Sequence, residues 1–249
     1  MNLVLFDKKE ISSEMKIHLN AEDYRAIHII KILKASENDN ISAGVIGGKT
    51  GTAKIENINE GEIELFLETD TEPEQLPPLS LLIGLSRPPT MQKVLKEATA
   101  LGIKHFILCG TENSEKSYRQ SKILQPEALK STIIEGAQQA VSTMLPDIDV
   151  TYDLKAAIKI IFSESSAKHL IALDNCEAEK SLTNYWKTSE KPFKDTVIAV
   201  GSERGWTDNE RKILKDSGFT LCSMGKRVLR TETASISGCA LCLSAMGVI

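Results

Sequence analysis

A chain of 249 residues with 41% hydrophobic residues can bury a core that folds without disulfide or metal staples, and it has room for one large domain or for a small and a medium one. Its formal charge of -4 excludes a protein that coats nucleic acid through overall charge, so any RNA contact has to be a local basic surface. No apolar run reaches the ~18 residues of a membrane span, and the first residues, MNLVLFDKKE, lack a signal-peptide layout, so a cytoplasmic location is expected.

Along residues 1–75 the runs LVLF, NISAGVI, GTAKIENI and EIELFLE predict strands, separated by Gly, Asn and Asp, with one helical stretch around Asp23 to Leu33. A small β-barrel or sandwich follows. Ala43 to Thr50 satisfies the loose A-x-x-x-x-G-K-T form of a phosphate-binding loop, but such a loop needs a helix to start at its Lys-Thr. Thr52 to Ile58 alternates like a strand instead, so the glycines are read as a β-hairpin turn. Prolines and polar residues over 72–78 break the periodicity and place a boundary between a domain at 1–75 and one at 76–249.

From Leu79 the runs LSLLIGL, KHFILCG, HLIALD, TVIAVG and FTLCSMG are short, nearly unbroken and end at turn residues, which predicts buried strands. Met91, Val94, Leu95 and Ala98 follow the i, i+3, i+4, i+7 spacing of one helix face, and Gly102 ends that helix. Pro126 to Val141 predicts another. Thr207 with Glu210 forms a capping box for a helix to Ser217, and a last helix runs from Thr233 to Met246. This alternation predicts a mostly parallel α/β sheet. The five cysteines are scattered through apolar segments, and the Cys239-x-x-Cys242 pair lies on a predicted helix of small apolar residues with no second ligand pair nearby. Reduced, packed thiols are the expectation, and no metal site.

Two glycine-bearing turns follow the last two strands. The first reads Gly201-Ser202-Glu203-Arg204-Gly205, the second Gly225-Lys226-Arg227-Val228-Leu229-Arg230-Thr231-Glu232-Thr233-Ala234. Together they resemble the late motifs of the SPOUT-class RNA methyltransferases, most closely the family that methylates N3 of a uridine in bacterial 16S ribosomal RNA. That family's usual Gly-Pro-Glu-Gly-Gly stands here as Gly201 to Gly205, and Arg227, Leu229, Arg230, Thr231, Glu232, Thr233 and Ala234 keep the family order. His28 to Lys34 resembles its N-terminal His-Leu-x-x-Val-Leu-Arg element, with Lys34 for the final Arg. Two further segments depart from the pattern, as Ser202 and Arg204 do in the first turn. Glu97 and Ala100 replace the charged residues of a usual Lys-Ala-Thr-Glu-Leu-Gly, and Ser142 replaces an Arg.

The resemblance implies a SPOUT-type α/β domain with a C-terminal trefoil knot, preceded by a small PUA-like β-barrel that helps grip RNA. It implies S-adenosylmethionine bound in a bent form by the loops at Leu173–Cys176, Gly201–Gly205 and Leu221–Glu232. The cofactor residues would be Leu173, Asp174, Gly201, Ser202, Glu203, Gly205, Leu221, Met224, Gly225, Val228, Leu229 and Thr231. RNA contacts would come from Arg25, Lys31, Lys34, Arg119 and Arg227, through cations that fix register on phosphates. Arg230 is expected to stabilise the deprotonated uracil, with Glu232 or Glu203 as a weaker candidate for taking the proton, directly or through water; a structural salt-bridge role for Glu232 is an equal alternative. The substrate would be 16S ribosomal RNA in the small subunit, and the enzyme a homodimer acting without metal. Competing readings are a SPOUT enzyme for another RNA target, such as a ribose 2'-hydroxyl, and a non-catalytic RNA-binding or assembly protein.

Overall fold

The computed structural model describes residues 2–164, 169–189 and 195–249. It divides into two compact units, residues 1–75 with Ala137–Leu145, and Leu76–Gly136 with Pro146–Ile249.

In the first unit, β1 (Val4–Phe6), β2 (Lys16–Leu19), α1 (Tyr24–Lys31), β3 (Asn40–Val45), β4 (Thr50–Asn59) and β5 (Glu62–Thr71) follow in chain order. The sheet order is β1-β3-β4-β5-β2, with β1 parallel to β3 and the other pairs antiparallel. Alternation fixes which face is core: Ile17, Leu19, Ile55, Ile63 and Leu65 are buried, while Lys16, Lys54, Glu62 and Glu64 face outward. The Asp23 carboxylate accepts the Arg25 amide and starts α1, which lays Ala26 and Ile29 into that core. The loose phosphate-loop string is a hairpin turn, because Gly47 at φ +70 turns the chain from β3 straight into β4.

Placing residues 76–249 in one continuous domain is corrected at Ala137–Leu145. Backbone bonds hold this segment to the first unit: the Asn2 amide donates to the Gln138 carbonyl at 3.3 Å and the Gly47 amide to the Thr143 carbonyl at 2.8 Å. The Thr143 hydroxyl donates in turn to the Gly48 carbonyl.

The second unit runs β6 (Leu79–Gly84), α2 (Pro88–Ala100), β7 (His105–Cys109), α3 (Pro126–Gln139), β8 (Asp147–Thr151), α4 (Leu154–Glu164), β9 (His169–Leu173), β10 (Lys180–Ser181), α5 (Leu182–Thr188), β11 (Thr196–Val200), α6 (Asp208–Asp216), β12 (Thr220–Ser223) and α7 (Thr231–Ala245). The last residues of α3 count with the first unit. The sheet is seven-stranded and parallel throughout, in the order β10-β12-β9-β11-β6-β7-β8. The five apolar runs form β6, β7, β9, β11 and β12; the edge strands β8 and β10, too polar to read as buried runs, complete it. Thr207 and Glu210 close the expected capping box at the head of α6, with the Thr207 hydroxyl accepting the Glu210 amide at 3.2 Å and the Glu210 carboxylate accepting the Thr207 amide at 3.0 Å. α7 begins at Thr231, a little earlier than its spacing suggests. Its small residues have a use inside this chain, because a Cβ on Gly238 would stand 2.7 Å from Ile198 on β11 and 2.9 Å from Leu173 on β9.

Candidate active site

In a parallel sheet, ligands bind beyond the carboxyl ends of the strands. The neighbours β12, β9 and β11 end side by side, and the segments that leave them wall a cavity of about 320 Å³. Leu173, Val200, Met224, Val228 and Leu229 give it apolar surface; Asp174, Ser202, Glu203, Arg204 and Arg211 bring polar groups. That size and mixture match small-molecule sites in general.

Each wall is held locally. The Gly205 amide donates to the Ser202 carbonyl at 2.9 Å, closing a tight turn that needs glycine at Gly201, where a Cβ would lie 2.9 Å from the Gly205 backbone. The indole of Trp206 donates to the Leu173 carbonyl at 3.1 Å and the Asp174 amide to the Cys222 carbonyl at 3.0 Å, tying the three segments together. Ser202 Oγ is buried and has no hydrogen-bond partner among the described residues, so this wall keeps an unused donor and acceptor.

Asp174 is almost fully engaged. Its Oδ1 accepts the amides of Cys176 at 2.7 Å and Glu177 at 2.6 Å, and its Oδ2 accepts Arg211 Nε at 2.9 Å. Arg211 Nη1 reaches Asp208 at 2.8 Å. Burial works against the charge on Arg211, but the Asp174 carboxylate outweighs it and holds the guanidinium more firmly protonated than usual. On the opposite wall Glu203 Oε1 accepts the Arg87 amide at 2.8 Å, with Arg87 Nε at 3.5 Å.

The sequence matches the model of the RNA methyltransferase domain over residues 72–243. It is 34% identical over 249 residues to the ribosomal RNA small subunit methyltransferase E of Treponema pallidum, covering 98% of this chain and 91% of that one. The chain belongs to the ribosomal RNA small subunit methyltransferase E family. A second relative, ribosomal RNA small subunit methyltransferase E 1 of Borreliella burgdorferi, is 32% identical over 240 residues, 95% of each chain. Two solved structures share the methyltransferase E fold. A methyltransferase from Legionella pneumophila in complex with S-adenosylmethionine superposes with a TM-score of 0.79 at 20% identity, covering 98% of this chain and 97% of that one. The methyltransferase E of Neisseria gonorrhoeae bound to S-adenosylmethionine gives 0.78 at 21%, with the same coverage.

Of the cofactor residues expected for a methyltransferase E, Leu173, Asp174, Gly201, Ser202, Glu203, Gly205, Met224, Gly225, Val228, Leu229 and Thr231 all line the cavity. Leu221 does not: it is fully buried in the core beside Trp206, Leu214 and Phe219, while Cys222, next along β12, faces the cavity. Arg230 and Glu232 also stand off the cavity wall. Arg230 is exposed at the N-cap of α7, where its side chain makes no capping bond, and Glu232 is half-buried in the first turn.

The expected RNA contacts separate. Arg227 lines the cavity, and Lys31 and Lys34 are exposed in the first unit. Arg25 is only 8% exposed, and its guanidinium is bound by Glu10 at 2.6 Å, Asp23 at 2.7 Å and the Leu5 carbonyl at 3.1 Å, so it braces the first unit rather than meeting phosphate. The Arg25 bond keeps Glu10 below the usual carboxylate range; burial works to raise Asp23, but its bonds to Arg25 together outweigh burial and hold it below that range too. Arg119 is half-buried, with its guanidinium 4.2 Å from the centre of the Tyr152 ring. Arg211 reads in the sequence as one more cation on a charged helix; only the fold brings Asp174 to it. Cys239 and Cys242 are buried within α7, and burial pushes the Cys242 thiol up to about 12 and that of Cys239 well above its usual value.

Proposed function

We propose that this chain transfers a methyl group from S-adenosylmethionine to N3 of a uridine in 16S ribosomal RNA of the small subunit. The observation that carries the reading is the cavity at the ends of β12, β9 and β11, walled by the residues that the family's late motifs supply. Its contents suit a nucleoside-bearing cofactor: glycine turns that bring backbone donors and acceptors close, apolar side chains for a base, and the unpartnered Ser202 hydroxyl. The names of the relatives and the cofactors of the two structural neighbours point the same way.

When bound there, S-adenosylmethionine supplies a methyl group on a sulfonium centre. The chain's own work is alignment and charge control. Asp174 and Arg211 fix one wall, and the Gly201–Gly205 turn fixes another. Arg230 stabilises the negative charge that develops on the uracil ring and its carbonyl oxygens, and Glu232 receives the N3 proton directly or through water. Exposure of Arg230 at the head of α7, adjacent to the cavity residue Thr231, supports that role. Glu203, bonded to Arg87, is the weaker acceptor.

We further infer that the segments Leu173–Cys176, Gly201–Gly205 and Leu221–Glu232 form a trefoil knot. The first unit, 1–75 with Ala137–Leu145, is a PUA-like module that grips RNA through Lys31 and Lys34. A second copy packs on α7, where Leu241 is exposed, and the enzyme works in the cytoplasm. The deciding experiment supplies labelled S-adenosylmethionine with unmethylated small subunits, free 16S RNA and transfer RNA. Label recovered as 3-methyluridine from the ribosomal samples is expected. A 2'-O-methyl product, or label in transfer RNA, would replace this reading with a different RNA target, and cofactor binding with no transfer to any RNA would favour a non-catalytic role.

A further inference from the structure

Away from the cofactor cavity, but at the same end of the sheet, Tyr152 follows β8 with its side chain in solvent, 73% exposed. An isolated exposed tyrosine needs no explanation, yet this one is built into an arrangement. The guanidinium of Arg119 lies 4.2 Å from its ring centre. Gly110, just past β7, makes room for that stack: a Cβ there would collide with the Tyr152 carbonyl oxygen and come within 2.8 Å of the Arg119 guanidinium. The loop that carries Arg119 is also bolted down at its base. The Ser114 hydroxyl donates to the Leu85 carbonyl at 2.7 Å, and the Glu112 amide donates to Glu210 of α6 at 2.9 Å.

We propose that Tyr152 and Arg119 form a stacking platform for an unpaired base of the RNA substrate, flanking the nucleotide that is methylated. An aromatic ring and a guanidinium plane are the two surfaces on which proteins stack unpaired bases, whereas the bases of an A-form helix are already stacked on one another. Lys116 and Lys122, both exposed on the same loop and without ion pairs among the described residues, supply charge for the adjoining phosphates; Glu112 bonds Thr207 and Asn209 instead. Spacing agrees. In the sheet β8 lies three strands from β11, roughly 14 Å at ordinary strand separation, so the stacked base belongs a few nucleotides from the one at the cavity.

This inference rests on the RNA-methylating reading, and two measurements keep their failures apart. Binding of a short unstructured RNA labelled for fluorescence anisotropy reads the platform without any methyl transfer. The KM for small subunits reads it during turnover. Tyr152→Ala should weaken the first and raise the second about tenfold, the effect of losing one aromatic stack, with S-adenosylmethionine affinity within about twofold of wild type. Tyr152→Phe, which keeps the ring, should stay within about twofold on both RNA readouts, and Arg119→Lys, which keeps charge but loses the plane, should fall between. RNA affinity and KM unchanged in Tyr152→Ala would overturn the proposal, as would Tyr152→Phe matching Tyr152→Ala. Wild-type protein that binds RNA through Tyr152 but transfers no methyl would sustain the platform and refute the enzymatic reading.

Discussion

Replacing Arg211 with Leu tests whether the cavity wall depends on one buried ion pair. The Asp174 side chain is 2% exposed and that of Arg211 10%, so the substitution strands a carboxylate that water reaches poorly. Removing one partner of a buried pair costs about 3–5 kcal/mol when nothing else compensates. Here Oδ1 keeps its two amide donors, and Arg211 stands on a cavity wall, so the loss falls below that range and we expect about 2 kcal/mol. The contact to Asp208 adds little, because that carboxylate is 95% exposed. A loss of 2 kcal/mol is about 30-fold in the folding equilibrium, and at a urea slope of roughly 2 kcal/mol/M the midpoint falls by about 1 M. Adding Asp174→Asn should restore part of the loss, since the amide oxygen still accepts backbone donors without burying a charge. Urea titration of the single and double variants, with S-adenosylmethionine affinity measured on each, is the assay. A single variant within about 0.5 kcal/mol of wild type, or a double variant whose loss equals the sum of the two singles, would refute the argument.

Other consequences follow from the same geometry. Arg230→Ala should abolish methyl transfer while leaving S-adenosylmethionine affinity largely intact, because Arg230 is off the cavity wall; equal losses in rate and in cofactor affinity would contradict this division. Glu10 and Asp23 have folded-state values below their ordinary ones, so their contribution to the first unit is complete above about pH 4.5 and is lost as pH falls through the depressed values. Protection of amides in β1 and α1, relative to intrinsic exchange rates, should fall as pH drops below about 4, and Arg25→Met should remove that dependence; protection that stays flat would count against the network. Of the five cysteines only Cys176 is exposed, and it lines the cavity, whereas burial pushes Cys109, Cys222 and Cys242 up to about 12. Native alkylation should add a single adduct, at Cys176, and S-adenosylmethionine should slow it. Equal labelling of a second thiol would show the core to be looser than it stands here.

What the sequence reveals depends on how local each feature's cause is. β6, β7, β9, β11 and β12 are covered on both faces, so their identity is written in unbroken apolar runs. β2, β8 and β10 lie at sheet edges, carry polar residues and become strands only because a neighbour offers hydrogen bonds. The Ala137–Leu145 segment joins the first unit for a reason just as distant: the groups that hold it, on Asn2, Gly47 and Gly48, are about a hundred residues away in the chain.

The cavity shows the same rule at finer grain. Its glycines could be read because a backbone requirement selects the residue type directly, and the order of residues from Arg227 to Ala234 carries the second turn whole. Leu221 could not be placed, since a loop assignment does not say which side of a strand a residue faces, and alternation along β12 sends Leu221 to the core and Cys222 to the cavity. Charge is the least legible feature. Arg25 and Arg211 look like the exposed lysines and arginines around them, yet both are buried because carboxylates await them: Glu10 and Asp23 for one, Asp174 for the other. A cation in a sequence is a candidate for RNA, but its partner decides: carboxylates withdraw Arg25 and Arg211, while Lys116, Lys122, Arg227 and Arg230 stay exposed in segments that follow the carboxyl ends of β7 and β12.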